Sequence, residues 1–143
     1  MRGLLAGASA ILCLSLVACG GSGRPAEPTL SPPPIDPRLR VLEQGAMTLD
    51  IAAGATETLD PGALALDAGL ALACGDVVFL FVWRVQQQET VEVAGRLAGD
   101  RFAIGRGRQG QASVNGCILL EAVNEAKSAV AVDLRFFIAE VRR

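Results

Sequence analysis

Apolar and polar residues alternate with a period of two along much of the second half of the chain. Between Val130 and Ile138 the apolar positions Val130, Val132, Leu134, Phe136 and Ile138 fall on one side, with Asp133 and Arg135 on the other. That is the pattern of a strand with one buried face. Thr90 to Ala98 repeats it, with Val91, Val93 and Leu97 set against Glu92 and Arg96. Val77 to Val85 carries Arg84 as its single charge and is rich in β-branched and aromatic residues. Such a run predicts a central strand covered on both faces. Cys117 to Val123 is another apolar run, broken by Glu121. Met47–Ile51 and Arg101–Ile104 give shorter strands.

Turn chemistry separates these runs. Asp60-Pro61-Gly62, Asp67-Ala68-Gly69, Gly99-Asp100 and Asn115-Gly116 all favour reversals. Ala63 to Ala73 combines helix-favouring composition with a period of two, Leu64 and Leu66 then Leu70 and Leu72 around Gly69. The alternation predicts a small hairpin there. About seven to nine short strands with regular turns define an all-β fold, a single antiparallel β-sandwich that is Ig-like or jelly-roll-like. It spans residues 38–143.

The start of the chain has a different pattern. Arg2 is followed by fifteen uncharged residues, Leu4 to Ala18, and Gly20, Gly21 and Gly23 then end the apolar run. A spanning helix needs about 20 apolar residues. The shorter run fits the n- and h-regions of an export signal. It closes on Leu16-Val17-Ala18-Cys19, which resembles the lipobox of bacterial lipoprotein precursors. The resemblance covers residues 1–19. It implies that 1–18 is a removable signal peptide and that Cys19 is the lipid attachment site, carrying acyl chains of the palmitate type. Two or more acyl chains hold a protein stably on a membrane, where one does not. In that family an Asp after the cysteine often retains the protein at the inner membrane. Gly20 stands there instead, so the implied site is the outer membrane of a bacterial cell envelope.

Residues 19–37 then form a Pro/Gly-rich linker, with six of the seven prolines between Pro25 and Pro37. Extended in polyproline conformation it reaches on the order of 55 Å, enough to act as a stalk. Once Cys13 leaves with the signal and Cys19 takes lipid, Cys74 and Cys117 remain. In an exported protein two such cysteines most simply form a disulfide. Each lies beside a glycine ahead of an apolar run, so the bridge pins the starts of two strands. Cys74, Trp83 and Cys117 also stand in the order of the immunoglobulin-like sandwiches, which this segment loosely resembles. The Cys-to-Trp spacing is shorter than in that fold, and the sequence has no Tyr for the tyrosine corner.

Composition narrows the chemistry. The sequence holds no His, and its formal net charge is −2. Imidazole-based triads, dyads and metal sites are therefore excluded, and a nucleic-acid partner does not fit the charge. Two cysteines without further soft ligands do not make a metal site. Gly105-Arg106-Gly107-Arg108-Gln109-Gly110 matches G-x-G-x-x-G, but no helix follows to meet a pyrophosphate, so no nucleotide cofactor is expected. Arg101, Arg106 and Arg108 instead form a candidate anion-contact loop, since guanidinium forks bind carboxylate and phosphate. The carboxylate pairs Glu89/Glu92 and Glu121/Glu125 are acid/base candidates that nothing else in the sequence marks, and Glu121 and Arg84 could pair across neighbouring strands. The expected function is a membrane-anchored binding module without catalysis, no cofactor beyond the acyl chains, and an envelope protein or glycan as partner. The alternatives are a carbohydrate-binding module, which an exposed Trp83 would favour, and, further off, a carboxylate-based hydrolase.

Overall fold

The computed structural model describes residues 30–142. They form eight strands: β1 (Leu39–Ile51), β2 (Thr56–Leu59), β3 (Val78–Val85), β4 (Val91–Leu97), β5 (Asp100–Gly107), β6 (Gln109–Asn115), β7 (Leu119–Asn124) and β8 (Val130–Val141). One short helix, α1 (Pro61–Asp67), and a 3-10 turn at Cys74–Asp76 lie in the connection from β2 to β3. The strands make two four-stranded antiparallel sheets, ordered β1-β8-β3-β6 and β2-β7-β4-β5. First pairs with last, second with seventh, third with sixth and fourth with fifth. The chain is thus one long hairpin, rolled so that successive rungs fall in alternate sheets. That is jelly-roll rather than immunoglobulin topology.

The predicted inward side of β8 lines the core. Val130, Val132, Leu134, Phe136 and Ile138 pack with Phe79, Phe81, Trp83 and Val85 of β3, and with Val91, Val93, Leu120 and Ala122 from the facing sheet. Phe79 stacks obliquely on Phe81 and Phe136, at ring-centroid distances of 5.6 and 5.1 Å. β3 is a central strand covered on both faces, as its composition predicts. On the outer face Leu80, Phe137 and Ala139 form a second apolar cluster with Leu39, Val41 and Val78. The segment before β1 returns along this face, where Arg135 donates to the Leu30 carbonyl at 3.1 Å and Pro33 is buried.

Four sequence expectations change. Ala63–Ala73 is not a hairpin: α1 begins at Pro61, with Asp60 accepting from the backbone N–H groups of Gly62 and Ala63. Asp at the N-cap followed by Pro in the first turn is a helix-start signal, and it outweighs the alternation of leucines. The helix ends at Gly69 (φ +80°), with Leu70 N bonded to Ala65 O and Gly69 N to Leu66 O, a Schellman closure. Second, Gly105–Gly110 is strand rather than loop, the end of β5 and the start of β6 with only Arg108 between. Third, Leu97 is 48% exposed although it holds an inward position. It is the last residue of β4, opposite Asp100 at the β4–β5 turn. Fourth, Arg84 and Glu121 do not pair, since they lie in different sheets: Arg84 sits opposite Asp133 and Glu121 opposite Ala94.

The β4–β5 reversal turns on Ala98 and Gly99, both left-handed (φ +53° and +89°). Two positive φ values suit a tight hairpin, but Ala pays a steric cost there. Ala98→Gly is expected to raise the unfolding free energy by about 0.5 kcal/mol, the steric relief exceeding the added freedom of the unfolded chain. A urea midpoint that falls instead would contradict this.

Candidate functional site

The exposed face of the second sheet concentrates the ionic chemistry. Directly opposed residues on antiparallel strands share a face. The pairs Ala94–Glu121 and Glu92–Arg106 therefore put Glu121, Glu92 and Arg106 outside, and Arg96–Arg101 follow. Arg96 Nε donates to Glu121 Oε2 at 3.0 Å, and Arg101 Nε to Glu121 Oε1 at 3.1 Å. Arg101 also reaches Glu92 at 2.8 Å, so one guanidinium bridges two carboxylates. These side chains roof Ala94, which has no exposure at all. The bulge at Ile104 keeps Arg101 and Arg106 on the same face, because it inserts one residue between Val93–Gly105 and Ala94–Ala103.

Of the three predicted anion-contact arginines, Arg101 and Arg106 share a face and each of the three is held by different partners. Arg101 is engaged by Glu92 and Glu121, and Arg106 pairs with Glu125. Arg108 donates to the Gln87 carbonyl at 3.0 Å, at the crossover between sheets. Hydrogen bonds from Arg96, and then Arg101, hold the Glu121 carboxyl below its usual range against the opposing effect of burial. Its partner Arg101 is pushed up by Glu92 and Glu121. A carboxyl held ionised suits an ion-pair lattice, whereas a general acid needs a raised pKa. The sign fixes a pH dependence. A depressed folded-state pKa contributes stability that is present above about pH 4.5 and is lost as pH falls through the folded value. Thermal unfolding of the parent and Glu121→Gln should therefore differ most at neutral pH and converge as the pH falls below the ordinary carboxyl range. A gap that widens in acid would refute the sign.

Gly110 makes room for a buried ring. A Cβ at Gly110 would lie 2.7 Å from Trp83 Cζ2, and one at Gly105 would lie 3.7 Å from it. Trp83 is 3% exposed and is not a surface stacking platform.

At one end of the sandwich Cys74 and Cys117 are disulfide-bonded, with Cα atoms 4.8 Å apart. They join the 3-10 turn before β3 to the turn before β7. A Cβ at Gly116 would lie 2.6 Å from Val77 Cβ and 2.8 Å from the Cys74 carbonyl, so this backbone approach requires glycine. Asn115 secures the turn from both sides, donating to Gly75 O at 3.0 Å and accepting from Cys117 N at 2.9 Å. A shallow recess of about 310 Å3 lies beside the bridge, between Asp60, Leu66 and Leu72.

Sequence reading did not single out Asn124, the one buried polar side chain among the described residues. Its amide donates to the carbonyls of Ile51 (3.0 Å), Ala52 (3.1 Å) and Ser128 (2.9 Å), and its oxygen accepts from Ala126 N (3.0 Å). The available signal was a polar residue at an inward position, following Leu120 and Ala122 in β7.

Among the described residues no group of three or more His, Cys, Asp or Glu could hold a metal ion. No helix among them is long and apolar enough to cross a membrane. Cys19 and the rest of the lipobox-like segment lie outside the described residues. No protein-family model matches the sequence, and no curated protein matches it.

Proposed function

We propose that this chain is a lipid-anchored protein of a bacterial cell envelope, held through Cys19 and presenting its sandwich as a non-catalytic binding module. The observation that carries the reading is Leu16-Val17-Ala18-Cys19 closing a short apolar run. The Cys74–Cys117 bridge supports it, because such bonds persist in oxidising compartments. Pro/Gly-rich chain between Cys19 and the domain suits a stalk, and Gly20 favours the outer membrane. With Trp83 inside the core, the partner we favour is an envelope protein rather than a glycan stacked on an aromatic ring.

Intact mass of the membrane-extracted protein tests the anchor. The expected mass is that of residues 19–143 plus acyl chains, rising by two hydrogens on reduction. An unacylated, soluble species would overturn the reading and redirect the search to glycan screening of a secreted module.

A further inference from the structure

Among the described residues, β6 ends its sheet with no strand beside its outer edge. Val85 N bonds to Arg108 O and Gly116 N to Val77 O. Alternation along the ladder therefore turns the backbone of Gly110, Ala112 and Val114 toward β3. Gln109, Gln111, Ser113 and Asn115 turn theirs outward. Asn115 O is already taken by Ile118 N at 3.0 Å. The N–H and C=O groups of Gln109, Gln111 and Ser113 remain as a row of alternating donors and acceptors.

The other three edges carry devices that discourage strand addition. β1 has a bulge at Leu42 and the charges Arg40, Glu43 and Asp50. β2 is four residues long, with Glu57 at an inward position opposite Ala122. β5 is bulged at Ile104 and carries Asp100, Arg101 and Arg106. β6, Gln109–Asn115, has no charge, no proline and no register shift.

We propose that β6 pairs antiparallel with β6 of a second copy of this chain, about a two-fold axis through Gln111, merging two four-stranded sheets into one. In that register Gln111 faces its own counterpart, and Gln109 faces Ser113 of the second copy. The free donors and acceptors of all three residues are then used. The close, non-hydrogen-bonded positions, where Cα atoms approach to about 4.5 Å, bring Gly110 against Ala112, two side chains small enough to fit. A two-fold axis sets the residue lying on it against its own copy, so a charge there would meet its like, and Gln111 is neutral. The neutral β6 is the edge that avoids this, which is why a second copy is the occupant chosen. The inference stands on the strand edge and does not depend on the lipid anchor.

Site-directed crosslinking of the full chain tests the register. Directly opposed hydrogen-bonded residues have Cα atoms about 5.5 Å apart, within disulfide range. Gln111→Cys should give a peptide linked 111-to-111 on oxidation, at least tenfold above Gln109→Cys or Ser113→Cys, whose like positions would lie about 14 Å apart along the strands. Equal yields at the three positions, no link at 111, or a link to a different polypeptide would overturn the proposal. An intact Cys74–Cys117 peptide in the same digest reports that the domain has folded. Sedimentation supplies a second readout. The unsubstituted chain should run as a dimer and Gln111→Lys as a monomer, and a monomeric unsubstituted chain refutes the pairing.

Discussion

Replacing Cys74 and Cys117 together by serine should lower the unfolding free energy by about 4 kcal/mol, the chain-entropy value for a closed loop of this size. The bridge spans a sequence separation of 43, and the connection it closes contains β3, β4, β5 and β6. Unlinked, the unfolded chain regains that freedom while the folded end keeps much of its own packing. Gly116 still lies against Val77 and the Cys74 carbonyl, and Asn115 still holds the turn. The loss should therefore appear as a lower denaturant midpoint with a folded baseline that is unchanged. Urea titrations of the parent, the reduced parent and the double serine variant measure it. Equal midpoints for parent and variant would show that the bridge contributes nothing to stability.

Asn124→Ala should cost about 3 kcal/mol, because each buried polar group left without a partner costs about 1–3 kcal/mol. The amide ties the end of β1 and the β1–β2 turn to the β7–β8 turn, and its removal takes a donor from the carbonyls of Ile51, Ala52 and Ser128 and the acceptor from Ala126 N, while Ala52 O keeps its bond from Ala55 N. Asn124→Asp separates polarity from size. An ionised carboxylate only accepts hydrogen bonds, and here it would face three carbonyl oxygens. This variant should be less stable than the alanine one at neutral pH and recover as the carboxyl is protonated in acid. If instead Asn124→Asp matched the parent at neutral pH, the assigned donor direction would be wrong.

What the sequence made legible follows from side-chain size. β8, β3 and β4 were readable because large aliphatic and aromatic residues occupy their inward positions. β6 was not, because its inward positions are Gly110, Ala112 and Val114. Gly110 is small because Trp83 fills the space above it, so the alternation that marks a strand is hidden by the fit it serves. α1 was obscured in the opposite way: Leu64, Leu66, Leu70 and Leu72 suggested alternation, while the decisive residues, Asp60, Pro61 and Gly69, act through the backbone. The cysteine pairing was legible by counting, and it is the bond found. The arginine grouping was legible only as composition. Each guanidinium's partner depends on strand pairing and on the bulge at Ile104, neither of which local sequence reports.

The rolled-hairpin topology has a consequence for the order in which the domain can form. β8 lies between β1 and β3, and its pairing runs from Val130–Ile51 to Val141–Leu39. A chain synthesised from its N-terminus must hold β1, and the β8-facing edge of β3, unpaired until the last strand arrives. Such long-range closure is characteristic of slow folders, in the millisecond-to-second range, and it leaves apolar strand edges open meanwhile. The protein is thus a nascent chain that cannot complete its core early, a kinetic property compatible with passage through a narrow channel before folding.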